Sequence, residues 1–250
     1  MLPDGANPAA SLYNLRTAMM NILPLLLAAT LQQPNTPGTY TMSFEVPDFG
    51  PMRYALTVPR GYNGRDARPL ILALHPGGQR FPGYGGAFVQ QVVAPGLSGL
   101  GAIIVAPDVP TRSWTDDIAA RAVLALVQSV ISQYEVDPSR VLVVGFSLGG
   151  RGAWFHSSRH TDIFKAAIVM AGSTGDEPIE KLATIPTYVI HSRDDEVVGF
   201  EPTEKAVKEL KRLKRTIEFE PLIGPTHFTM GAYIDSLARG GRWVADRWKK

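Results

Sequence analysis

The sequence predicts an α/β fold: a mostly parallel sheet of about eight strands with helices on both faces. Three observations lead there. From Thr39 onward, β-type apolar runs alternate with stretches of helical periodicity. Four of the runs, residues 70–74, 102–106, 141–144 and 167–170, are almost wholly apolar, as strands covered on both faces are. A glycine-flanked turn, Gly145-Phe146-Ser147-Leu148-Gly149, joins the third of these runs directly to a helical segment.

Taken in chain order, residues 39–46 and 53–58 alternate apolar and polar side chains around a turn at 47–51. They read as an antiparallel hairpin at a sheet edge. Residues 116–133 place Ile118, Ala122, Leu126 and Val130 on one helical stripe, with Ser113 and Asp116 as a capping box. A helix over 148–158 follows the glycine turn. Strands at 187–190 and 217–219 flank an amphipathic helix at 203–215. Two last helices, 228–237 and 242–248, are separated by Gly240-Gly241. Neither an internal repeat nor a second folded domain is legible.

Composition narrows the function classes. Apolar residues make up 45% of the 250-residue chain and charged residues 19%, an ordinary balance for a globular domain. A net charge of +2 is too small to argue for nucleic acid. The basic run Lys208 to Arg215 reads as a solvated helix face. The absence of cysteine removes thiol catalysis, cysteine zinc sites and disulfides. No metal or cofactor is expected.

Residues 1–38 are expected to be a signal peptide and linker, leaving 39–250 as the catalytic domain. Residues 21–31 form an apolar run too short to span a bilayer but of signal-peptide length, preceded by the single basic residue Arg16. Small residues Ala28, Ala29 and Thr30 follow the run's apolar centre, without an Ala-x-Ala site. Met19 or Met20 is an alternative start. The expectation is secretion or export to a periplasm, without stable membrane insertion; a cytosolic tail is the alternative.

The chemistry centres on Ser147. A sharp turn from strand to helix projects a serine hydroxyl above the sheet, and the crowding there requires glycine two positions to either side. The helix start beneath presents backbone N–H groups toward developing negative charge. A serine needs a base, and the base needs an orienting acid. Of the five histidines, only His227, in Gly224-Pro-Thr-His-Phe, follows the last strand. His156 and His160 lie too close behind the turn and are read as surface residues. The acid should follow the strand at 187–190, where Asp194, Asp195 and Glu196 are adjacent.

These motifs resemble the α/β-hydrolase fold. The stretch from Tyr134 through Asp137-Pro138 and Ser147 to Trp154, with HPGG at 75–78, resembles the esterase branch of polyhydroxybutyrate depolymerases, feruloyl esterases and phospholipase/carboxylesterases. Some members of that branch are labelled peptidases of the prolyl oligopeptidase group. The resemblance implies the order nucleophile, acid, base. It lays H-G-x-x-D-x-V-V over residues 191–198, which favours Asp195 over Asp194 and makes His191 a packing residue. Ser192 departs from the pattern's glycine. The resemblance also implies an oxyanion hole from the Leu148 N–H and a donor after the third strand, Gly77 first and Gly78 second; Pro76 has no N–H to offer. About 16 residues separate the strands ending at 170 and starting at 187, too few for the lid domain that many relatives insert there.

Phe81, Tyr84, Trp114 and Phe228 are expected to rim the site and bind apolar groups. Arg80 and Arg112 are candidates for attracting an anion. The expected activity is a serine esterase acting on a small-molecule or polymeric ester. A peptidase or amidase with the same residues, and a binding module that has lost catalysis, are the alternatives.

Overall fold

The computed structural model describes residues 33–47, 49–78 and 81–249. The proposed signal segment at 21–31 and Arg80 lie outside these residues. The eight strands are β1 (Gly38–Val46), β2 (Gly50–Val58), β3 (Arg68–Leu74), β4 (Ile103–Pro107), β5 (Val136–Phe146), β6 (Ala166–Met170), β7 (Thr187–Ser192) and β8 (Ile217–Leu222). They form one sheet in the order β1-β2-β4-β3-β5-β6-β7-β8. β1 and β2 pair antiparallel, as do β2 and β4, and every later pair is parallel.

Alternation along the strands divides the core in two. Leu70, Leu72 and Leu74 of β3, with Val141 and Val143 of β5, face α2 (Asp117–Gln133), α3 (Leu148–Arg159) and α4 (Phe200–Arg212). Ile71 and Ala73, with Leu142 and Val144, face the other way. There they meet a helical stretch over residues 84–100, here α1, and α5 (Ile234–Arg247). A period of two in the strands therefore feeds two separate helical layers.

Several elements differ from expectation for identifiable reasons. The stretch from Tyr84 was not predicted as helix. It starts as α-helix over Tyr84–Phe88, widens through a π turn at Val89–Val93 and returns to α at Ala94–Leu97. Glycine and proline in this stretch hide its apolar period. The stripe of α2 is Ala119, Ala122, Val123, Leu126, Val127 and Val130, while Ile118 is exposed. Asp116 alone caps that helix, accepting from the Ala119 N–H at 2.9 Å; Ser113 bonds Thr115 instead. α4 starts and ends three residues early, at Phe200 and Arg212. Pro202 fits its first turn, and Lys214 takes a positive φ of 58° after its end.

Gly240 and Gly241 do not break the last helix. A Cβ on Gly241 would come within 2.7 Å of Leu97 Cδ2, and one on Gly240 within 3.0 Å of the Tyr188 ring. The pair lets α5 lie directly against α1 and β7. Leu237, fully buried on α5, fills the same seam. Leu237→Ala should therefore lower unfolding stability by about 2–5 kcal/mol, read as a lower urea midpoint at unchanged slope.

Candidate active site

β5 delivers Ser147 to the carboxyl end of the parallel strands, where open α/β sheets place their sites. Ser147 sits at φ 55° and ψ −115°, a conformation costing an L-residue about 1–3 kcal/mol. The surroundings hold it there. A Cβ on Gly149 would overlap the carbonyl oxygen of Leu74, and one on Gly145 the carbonyl oxygen of Gly149. The Ser147 N–H donates to the Met170 carbonyl of β6 at 2.9 Å.

His227 comes from the loop after β8 and Asp195 from the loop after β7. His227 Nε2 lies 2.8 Å from Ser147 Oγ. Its Nδ1 lies 2.8 and 3.0 Å from the two oxygens of Asp195. With the proton kept on Nδ1 and hydrogen-bonded to the carboxylate, Nε2 is left to accept from the serine hydroxyl. The Asp195 side chain is fully buried, and its Oδ1 also accepts from the Val198 and Val197 N–H groups at 2.7 and 3.0 Å. Burial alone would raise its pKa, but the His227 N–H and these two backbone donors outweigh burial and hold the carboxyl below its usual range.

The two neighbouring acids have separate work. Asp194 Oδ2 accepts from the Gly224 N–H at 2.6 Å. Glu196 Oε2 accepts from the His227 N–H at 3.0 Å. Both tie the histidine loop to the acid loop. His191, expected as strand-end packing, is buried behind Asp195 with Nε2 3.4 Å from Asp195 Oδ2 and 2.9 Å from the Val198 carbonyl. Burial lowers its pKa, against the pull of Val198 and Asp195.

Gly77 and Gly78 share a cavity of about 330 Å³ with Ser147, His227, Tyr84, Phe146, Val197, Phe228 and Met230. Gly77 stands against the Leu148 side chain, which a Cβ on it would meet at 3.4 Å. The predicted donor residues therefore lie side by side at the nucleophile. Tyr84 and Phe228 line this cavity as expected. Phe81 stands beside it, its ring 4.7 Å from that of Tyr84. Among the described residues, no cluster of acids or histidines could hold a metal, and no helix is long and apolar enough to cross a membrane.

Trp114 does not rim the site. It is fully buried, and its indole N–H donates to the His75 carbonyl at 3.0 Å. Its own carbonyl accepts from His156 Nε2 at 3.1 Å. A Cβ on Gly152 would strike Trp114 Cβ, so the indole is wedged between α3 and the loop that carries Gly77. His156 is likewise fully buried rather than on the surface. Its Nε2 is paired with the Trp114 carbonyl while its Nδ1 is buried without a hydrogen-bond partner, and the one pairing joins segments that residue spacing does not bring together.

Comparison with known proteins agrees with this architecture. A thermostable esterase structure superposes with a TM-score of 0.68 at 23% identity, over 83% of this chain and 62% of its own length. A ferulic acid esterase gives 0.67 at 16%, over 84% of this chain and 98% of its own. The chain has the α/β-hydrolase fold. Esterase 2 of Thermogutta terrifontis, another such structure, gives 0.66 at 18%, over 85% of this chain and 96% of its own. The chain spans less than two thirds of the thermostable esterase. The model of the dienelactone hydrolase family matches residues 108–229, just under half of the chain. No curated protein matches it in sequence.

Burial pushes the His156 pKa down to about 3, the nearby His160 adds to this and the Trp114 carbonyl opposes it. Between about pH 6.5 and about 3 the unfolded chain therefore holds a proton at this residue that the folded chain lacks, and acidification costs stability. His156→Gln should keep a donor for Trp114 yet flatten that dependence. Urea unfolding across this window should show a slope shallower than wild type by up to about 1.4 kcal/mol per pH unit.

Proposed function

We propose that the protein is a serine hydrolase of carboxylic esters working through an acyl-enzyme. One observation carries this reading: a single imidazole is bonded at Nε2 to Ser147 Oγ and at Nδ1 to the buried Asp195. Ser147 Oγ attacks the ester carbonyl carbon while His227 Nε2 takes its proton. The carbonyl electron pair moves onto oxygen, where the Leu148 and Gly77 N–H groups receive it, each such donor being worth about 3–4 kcal/mol in comparable sites. Collapse breaks the bond to the alcohol oxygen, which leaves with the proton from His227. Water then repeats the cycle on the acyl-enzyme: His227 takes its proton, hydroxide adds to the carbonyl, and the acid departs as Ser147 regains its proton. Asp195 keeps its negative charge throughout and stabilises the imidazolium.

Esters are favoured over aminoacyl amides by the cavity itself. A putative dipeptidyl aminopeptidase from Bacteroides ovatus shares the fold at 17% identity, but this chain spans only 36% of it. None of the described residues lining the Ser147 cavity is a carboxylate that could receive a substrate ammonium. The esterases among the structural neighbours support the same choice.

Ser147→Ala should lower kcat on p-nitrophenyl butyrate by about ten-thousandfold or more and abolish labelling by a fluorophosphonate. Full turnover in that variant would refute the mechanism. Asp195→Asn should cost about ten-thousandfold. Asp194→Asn should cost no more than about threefold, because the amide oxygen still accepts from Gly224. The reverse order would move the acid to Asp194.

A further inference from the structure

The large hydrophobic side chains exposed among the described residues are Phe49, Phe81, Ile118, Val197, Ile223 and Phe228. All but Ile118 lie on loops at the end of the sheet that carries Ser147. Exposed apolar groups scattered singly need no explanation, but a cluster marks a surface that binds something. Phe228, at 78% exposure, and Val197, at 56%, line the Ser147 cavity beside His227. Phe81 and Phe49 line a second, open hollow of about 460 Å³, together with Pro51, Pro82, Pro110 and the charged Arg53 and Asp108. The hairpin turn bearing Phe49 reaches this end because β2 runs antiparallel to β4, with Tyr54 opposite Pro107. Tyr84, which lines the cavity, and Phe81, which lines the hollow, are in ring contact.

The chemistry of the step orients a substrate across these two regions. The leaving oxygen must take its proton from His227 Nε2, so the alcohol arm lies on the histidine side, beside Phe228 and Val197. The oxyanion points to Gly77 and Leu148. The acyl arm is left the direction past Tyr84. The cavity of about 330 Å³ is at the small end for a ligand site, and the side of it toward Phe81 gives a growing acyl group an apolar way out.

We propose that the acyl chain runs from Ser147 over Tyr84 and Phe81 into the hollow beside Phe49, which makes this a site for esters of medium-chain apolar acids. This rests on the ester-hydrolase reading of Ser147. A p-nitrophenyl series from acetate to octanoate holds the leaving group constant while the acyl arm grows. Measured with monomeric substrate, kcat/KM of the wild-type protein should be at least about tenfold higher for octanoate than for acetate. Phe81→Ser should cut that ratio about tenfold, and Phe49→Ser, at the far end of the hollow, about threefold. Both positions are exposed, so neither substitution should unfold the protein, and the two variants together test the path. A wild-type preference for acetate, or a ratio unchanged in both variants, overturns the proposal. Failure of the wild-type protein to hydrolyse any member of the series overturns the ester reading instead, and the acyl path with it.

Discussion

Backbone crowding at the turn from β5 into α3 is the constraint on which the rest of the site depends. The first turn of α3 is wedged between the end of β3 and the loop after β6. Gly149 lies against the Leu74 carbonyl, and Gly150 lies against Gly172, where an added Cβ would approach its Cα within 2.9 Å. No side chain fits on these contacts, so the backbone strain at Ser147 cannot relax without parting the strands on either side. The same wedge fixes where the Leu148 N–H lies relative to the Gly77 loop. The position of Ser147 and the position of Leu148 beside Gly77 are thus one structural fact.

The base is held by a different device. His227 sits on a loop, and loops are the least constrained part of a fold. Three consecutive acids on the facing loop compensate, taking the Gly224 N–H, the His227 ring N–H and the His227 backbone N–H respectively. Only the middle acid is buried against the imidazole, and its backbone donors keep it ionised there. On the opposite side, Trp114 links the His75 carbonyl of the loop after β3 to His156 of α3 through hydrogen bonds at both its ends. The residues gathered around Ser147 therefore come from the ends of four strands, and the loops that carry them are tied across to neighbouring elements.

The sequence by itself predicted the mostly parallel sheet and singled out Ser147 and His227. Almost wholly apolar runs specified which strands are covered on both faces, and the glycine spacing around Ser147 has few physical uses other than a tight strand-to-helix turn. His227 followed from chain order, because it is the one histidine after the last strand. Asp195 was less legible. Asp194, Asp195 and Glu196 are chemically similar neighbours, and residue pattern alone does not say which carboxylate points at the imidazole.

What only the tertiary structure decided are the contacts between distant segments. Trp114 looked like a loop aromatic because neither the His75 carbonyl nor Gly152 is near it in sequence, and burial of a tryptophan depends on both. His156 looked exposed because its partner, the Trp114 carbonyl, lies 42 residues away. Gly240 and Gly241 looked like a break because their local propensity disfavours helix, while their close approach to Leu97 and Tyr188 rewards the absence of a side chain. Local periodicity and spacing are written along the chain, so they could be read from it. Hydrogen bonds and close approaches between remote segments come into being only when the chain closes on itself.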